Sequence, residues 1–177
     1  MPLQSQDLVA RPAMTLETHL ESACYDLVAE IAQSHGKVQL KVTGASMLPV
    51  MCPGDLITVQ RCDPRKLQPG EVILFRRNGG LAAHRIVEVS EKLIVTRGDA
   101  LPSNDAPISH SEVVGRIEFA RRDGRPVSLH PSPWQQIVGG ILRRSERCTR
   151  VFLRLSPGIR KFGIGNSVFG TANPIRF

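Results

Sequence analysis

Lys37-Val38-Gln39-Leu40-Lys41-Val42-Thr43-Gly44-Ala45-Ser46-Met47-Leu48-Pro49 changes character at its middle. The first half alternates polar and apolar residues, the pattern of a strand with one buried face. The second half sets a Ser among small residues and before a Pro, the composition of a sharp corner. Pro53-Gly54-Asp55 then turns the chain into Leu56-Ile57-Thr58-Val59-Gln60, which reads as a second strand. A Ser at a strand-to-loop corner can be approached closely by a substrate carbonyl, and its own N–H can face a developing oxyanion. The same residue types also make an ordinary turn, and the stretch alone does not separate the two readings.

Downstream, Glu71 to Arg76 and Leu81 to Val89 read as strands around Asn78-Gly79-Gly80, a hairpin signal whose loop can exceed two residues. Lys92 to Arg97 and Glu112 to Ala120 are further strands, and a short one is expected at Val127 to Leu129 after the Asp123-Gly124 turn. Pro64 to Gly70 and Gly98 to Ser111 read as loops. Many short strands separated by turns predict a mainly β (α+β) body, barrel-like or sandwich-like.

Upstream, Leu16, Leu20, Ala23, Cys24, Leu27, Val28 and Ile31 recur at helical spacing between a candidate cap, Thr15, and a stop, Gly36. Glu17, Glu21, Asp26 and Glu30 mark the opposite, polar face. Residues 132–156 predict a second helix, opened by the capping box Ser132-Pro133-Trp134-Gln135. Its apolar stripe runs through Trp134, Ile137, Val138, Ile141, Leu142, Cys148, Phe152 and Leu155, and a second stripe carries Arg143, Arg144, Arg147, Arg150 and Arg154. The organisation expected is an arm and helix over 1–36, a β body over 37–131, and a basic amphipathic helix with a Gly-rich tail over 132–177.

The chain has 177 residues and a formal net charge of +7. Residues 1–133 hold 15 Lys and Arg against 15 Asp and Glu, whereas 134–177 hold 8 basic residues and one acid, Glu146. A neutral body with a basic end fits an acidic partner. The expectation is peripheral contact with a membrane surface rather than with nucleic acid, set against a helix that merely docks on the body with solvated arginines. The N-terminus has no secretory signal pattern, and no apolar run is long enough to span a membrane. The location expected is therefore cytoplasmic or peripheral on a membrane. Four Cys, at 24, 52, 62 and 148, form no C-x-x-C and no zinc spacing, so neither a metal nor another cofactor is expected. Cys52 and Cys62 flank a strand and could approach each other.

Nucleophilic catalysis by a hydroxyl needs a base within hydrogen-bond reach and donors for the oxyanion. Ser46 is the candidate nucleophile. His84 is the candidate base because it interrupts the apolar run Leu81-Ala82-Ala83, although a lone His on a strand's polar face needs no such role. Asp99 and Asp105 share one loop. Either could orient the imidazole, or could serve only as a turn-forming Asp.

Ser46-Met47-Leu48-Pro49, Gly54-Asp55, His84-Arg85-Ile86-Val87, Arg97-Gly98-Asp99 with Asp105, and Val114-Gly115-Arg116 follow one another over residues 42–117. Together they resemble the S24/S26 serine peptidase superfamily, most closely the signal peptidase I branch of archaeal and endoplasmic-reticulum type, which pairs Ser with His rather than Lys. The resemblance implies a coiled β-sheet catalytic domain and a Ser-His(-Asp) endopeptidase that removes a signal or leader segment from a precursor polypeptide. By the same resemblance Ser46 is nucleophile, His84 general base, Asp105 the acid that supports it, and Asp99 a second carboxylate of the site, either catalytic or structural; which of the two Asp is the acid partner stays open. Three departures stand out. Gly44 replaces a hydroxyl residue common two positions before the nucleophile, Ala100 replaces an Asn after Gly98-Asp99, and a spanning anchor is missing. Two alternatives remain: a LexA-like self- or partner-cleaving peptidase, and a catalytically weak β-barrel binding module with a basic tail.

Overall fold

The computed structural model describes residues 16–144. Helix α1 (Leu16–His35) leads into β1 (Lys37–Lys41) and β2 (Leu56–Gln60). There follow β3 (Val72–Arg77), β4 (Gly80–Val89), β5 (Leu93–Arg97), β6 (Ile108–Ser109), β7 (Val113–Arg122), β8 (Arg125–Val127) and α2 (Pro133–Arg144). The strands form one antiparallel sheet in the order β1-β2-β7-β3-β4-β5-β6, with β8 on β7. Bulges interrupt the register between Thr58 and Val59, Leu74 and Phe75, and Ile86 and Glu88. Each adds local bend and twist, so the mainly β, coiled-sheet expectation is met.

Strand β3 shows why the sheet has two apolar faces. Val72, Ile73, Leu74 and Phe75 are all buried. Alternate side chains of a strand point to opposite faces, so a continuous apolar run implies burial on both sides. Val72 and Leu74 join a core with Tyr25, Ala29 and Ala32 of α1, Leu40 of β1, and Ile57 and Val59 of β2. Ile73 and Phe75 join a second core with Leu67, Ile86, Ile94 and Ile108. Full burial of a Leu or Phe stabilises the fold by about 1.5–3 kcal/mol, so β3 anchors both layers.

The boundaries refine several expectations. The hairpin between β3 and β4 is tight, with Asn78 and Gly79 at φ 48° and 75° supplying the left-handed pair that such a turn demands. The turn at Asp123-Gly124 is equally tight, with φ of 49° and 78°. Pairing therefore restarts at once, and the last strand is Arg125–Val127 rather than Val127 to Leu129. The loop expected over Gly98 to Ser111 contains β6, which pairs Ile108 with Ile94.

Among residue 23 and residues 25–35 of α1, whose burial is described, Tyr25, Ala29 and Ala32 are buried and Val28 and Ile31 are half-buried, whereas Ala23 is exposed and Leu27 is 55% exposed. The expected stripe counts Ala23 and Leu27, which are exposed, and passes over Tyr25; the side chains of its Leu16, Leu20 and Cys24 lie outside those described. Thr15, the expected cap, lies outside the described residues. Cys52 and Cys62 are both free thiols. Burial pushes Cys52 up to about 11, which leaves it protonated and unreactive near neutrality.

In α2 the capping box is present: the Ser132 N–H donates to Gln135 Oε1 at 2.8 Å, and the Gln135 N–H donates to Ser132 Oγ at 3.3 Å. The described helix ends at Arg144, and the expected continuation to 156 lies outside the described residues. Val138 packs on Leu48, Cys52 and Ala100. Trp134, Ile137 and Ile141 instead remain 70%, 57% and 54% exposed. The predicted apolar stripe is thus split between the body and solvent. Among the described residues no helix is long and apolar enough to cross a membrane.

Candidate active site

The loop that carries Ser46 leaves β1 and returns to β2. Two backbone hydrogen bonds close its base: the Val42 N–H donates to the Asp55 carbonyl at 2.8 Å, and the Gly54 N–H donates to the Val42 carbonyl at 2.7 Å. The Asp55 carboxylate braces the loop from within. It accepts from the Cys52 N–H at 2.8 Å and from Nε and Nη2 of Arg122, both at 2.8 Å. Leu48, Val50 and Met51 are fully buried beneath it. Half-buried Ser46 therefore sits on a loop fixed by packing as well as by hydrogen bonds.

The second support comes from the loop after β5. The Ala100 N–H donates to the Ser46 carbonyl at 2.9 Å. Gly98 lies so close that a β-carbon there would be 2.7 Å from the Ser46 carbonyl oxygen. No side chain fits such a gap, and that explains the glycine of Arg97-Gly98-Asp99.

Ser46 Oγ lies 2.9 Å from Nε2 of His84, and His84 Nδ1 lies 2.6 Å from Oδ2 of Asp105. His84 is 3% exposed and Asp105 9%. The imidazole projects into the second core, edge-on to Phe75 with ring centroids 5.9 Å apart. An ionised carboxylate can only accept, so Nδ1 carries the hydrogen and Nε2 is left to accept from the Ser46 hydroxyl. This is the geometry required of a nucleophile, a base and an orienting acid.

Asp105 is held by more than His84. The Thr96 hydroxyl donates to the same Oδ2 at 2.7 Å, the Asp105 N–H donates to the Thr96 carbonyl at 2.8 Å, and the Arg77 guanidinium pairs with Oδ1. Burial alone would push this carboxyl up. The hydrogen bond from His84, its charge once it is protonated, and Thr96 and Arg77 outweigh it and hold Asp105 below the usual carboxylate range.

Asp99 and Asp105 part company here. Asp99 accepts from Arg85, Nε to Oδ1 at 2.9 Å and Nη2 to Oδ2 at 2.7 Å, so its carboxylate is turned to an arginine rather than to the imidazole. Arg85 also donates to the carbonyls of Gly70 at 2.7 Å and Leu129 at 2.9 Å. Asp99 thus braces the loop that supports Ser46, and of the two candidates Asp105 is the carboxylate that meets the imidazole. Strand alternation explains the split: His84 and Arg85 are neighbours, point to opposite faces, and each engages one Asp of the same loop.

Sequence reasoning missed Thr96 and Arg77. Thr is common in strands, and an Arg beside a hairpin reads as a solvated charge, so neither position carried a signal. Among the described residues no three His, Cys, Asp or Glu side chains gather as a metal-binding group.

No curated protein matches the chain. The family model described as Peptidase S24-like matches residues 9–117, a span that contains Ser46, His84, Asp99 and Asp105. The chain therefore belongs to the Peptidase S24-like family of serine-type peptidases.

Proposed function

We propose that the chain is a signal-peptidase-like endopeptidase in which Ser46, His84 and Asp105 cut a precursor polypeptide to release a signal or leader segment. The observation that carries this reading is the hydrogen-bonded series from Ser46 Oγ through both nitrogens of His84 to Asp105. Neutral His84 takes the Ser46 proton at Nε2 as Oγ attacks the scissile carbonyl. Asp105 steadies the imidazolium that forms, and the backbone N–H of Ser46 faces the oxyanion. His84 then returns the proton to the leaving amine, and water releases the acyl group by the same route. Gly44 has open space around its β-position and supplies no hydroxyl, so oxyanion stabilisation rests on backbone.

The His base supports the signal-peptidase branch. A second reading, a LexA-like peptidase that cuts itself or a partner, is favoured by the S24-like match. We further propose that α2 meets an anionic membrane surface through Trp134, Ile137 and Ile141, with the basic sequence after it attracted to the headgroups.

Purified protein is incubated with candidate leader and signal peptides beside Ser46→Ala and His84→Ala. Cleavage by wild type and its loss in both folded variants is the result expected. Equal cleavage by Ser46→Ala refutes the mechanism. Cleavage confined to the chain itself, at a rate independent of protein concentration, selects the LexA-like reading instead.

A further inference from the structure

Asp105 is surrounded on every polar edge. Oδ2 is shared by His84 and Thr96, and Oδ1 is taken by Arg77. Its side chain is 5% exposed, that of Arg77 is 22% exposed, and Thr96 is fully buried. The three partners come from three strands: Arg77 ends β3, His84 lies in β4 and Thr96 in β5.

Their placement follows from the register. His84 sits opposite Ile73 and Thr96 opposite Ile86, so both project to the face of the second core. Arg77 ends β3 where the hairpin at Asn78-Gly79 turns the chain, and it lines a cleft of about 390 Å³ with Tyr25, Asp26, Asn78 and Glu112. Its neighbour Arg76 pairs with Asp26 at 2.9 Å, whereas Arg77 pairs with Asp105.

From this arrangement we infer that Arg77 is a positioning residue for the proposed peptidase reaction: its fixed charge keeps Asp105 ionised, and its hold on Oδ1 keeps Oδ2 aimed at His84. The inference rests on the Ser46–His84–Asp105 reading and adds a fourth residue to it. Thr96 and Arg77 divide the task. Thr96 is neutral, so it fixes where the carboxylate sits. Arg77 brings a guanidinium, so it supplies the charge. The charged and titratable groups around the pair are His84, Tyr25, Arg76, Asp26 and Glu112, and the cleft reaches Arg77 whereas His84 is buried outside its lining.

A cation beside a buried His-Asp pair opposes its protonation, and removing that cation makes proton uptake easier. The acid limb of activity then moves to higher pH. The test compares wild type with Arg77→Met, Arg77→Lys and Thr96→Val, reading kcat/KM against pH on a cleaved peptide. The His84 ring resonance is followed through the same pH range by NMR, with His84→Ala assigning the signal.

For Arg77→Met the expected result is a roughly tenfold or greater fall in kcat at neutral pH, with KM within about twofold. Its acid limb moves up by roughly half to one pH unit, and Arg77→Lys restores the limb. Thr96→Val lowers kcat but leaves the limb nearer to wild type. A folded Arg77→Met with an unmoved limb and an unmoved ring titration overturns the inference. If Arg77→Met does not fold, Arg77→Gln is read in its place: a raised acid limb that Arg77→Lys restores supports the inference, and an unmoved limb with an unmoved ring titration overturns it. The NMR arm separates this inference from the peptidase reading. A ring titration that moves in a protein cutting no peptide upholds Arg77 and rejects the peptidase reading. A Ser46-dependent peptidase whose profile ignores Arg77 does the reverse.

Discussion

Gly98→Ala changes the site through a single methyl group. The added carbon would lie 2.7 Å from the Ser46 carbonyl oxygen and 3.0 Å from Cγ and Cδ1 of Leu101. A comfortable carbon–oxygen contact is near the sum of the van der Waals radii, so one backbone must retreat by about half an ångström. Leu101 is partly exposed and can move. The Ser46 carbonyl cannot move freely, because the Ala100 N–H holds it at 2.9 Å and the loop behind it is buried. The displacement therefore passes to the Ser46 peptide plane and to the 2.9 Å separation of Oγ from His84 Nε2. Overpacking of this kind costs about 1–3 kcal/mol, and a reacting group misplaced by an ångström costs on the order of a hundredfold in rate. We expect Gly98→Ala to lower Tm by roughly 3–8 °C and kcat/KM by about ten- to a hundredfold. Thermal melts and peptide cleavage at saturating and limiting substrate read both. Gly44→Ala is the control for stability: the same methyl is added two residues before Ser46, where nothing lies within 4 Å. A Gly98→Ala protein with wild-type Tm and wild-type cleavage would refute the claim that this close approach positions Ser46.

Asp105→Asn should reduce kcat by several orders of magnitude, as expected when an imidazole loses its orienting carboxylate, and should leave KM nearly unchanged. It should also alter acid stability. The Asp105 carboxyl is held below its ordinary value, so its contribution is fully present above the unfolded pKa and lost as pH falls through the folded one. Urea melts between neutrality and about pH 3 should show a shallower acid loss in Asp105→Asn than in wild type; equal slopes would count against the ionised Asp105. Asp99→Asn tests the other carboxylate: breaking its pair with Arg85 should cost roughly 3 kcal/mol of stability while the acid limb of the cleavage profile stays where wild type has it. A displaced limb would return Asp99 to the site. Trp134, the sole Trp of the chain, reports on the surface of α2. Its emission should shift to the blue with anionic phosphatidylglycerol vesicles at low salt and not with neutral ones, and the lack of any shift would remove the lipid partner.

How much of this was legible in the chain depends on how local each signal is. Ser46, the Gly54-Asp55 turn and the Asn78-Gly79 hairpin are set by residues adjacent in sequence, and composition exposes them. His84 was legible for a different reason: a polar side chain inside an apolar run must have a partner once buried. The partner itself was not legible, because Asp99 and Asp105 occupy one loop and differ only in which sheet face they meet. That choice is made by the alternation of His84 and Arg85, which takes effect only when β4 and β5 are in register. Thr96 and Arg77 are harder still. Each is unremarkable in its own strand, and their convergence on Asp105 depends on three strands and the bulge between Ile86 and Glu88. The exposure of Leu27 on α1 and the divided stripe of α2 have the same origin. Periodicity says that a helix has an apolar side, but the sheet decides which part of it is covered. Gly139 illustrates the point: its β-position lies 3.5 Å from the Asp99 carbonyl and 3.7 Å from Pro49 Cδ. These are ordinary van der Waals separations, so α2 rests against the two loops that hold Ser46 at this point. A residue that weakens the helix locally thus marks the face of α2 that turns toward the Ser46 loop, while Trp134 stays 70% exposed.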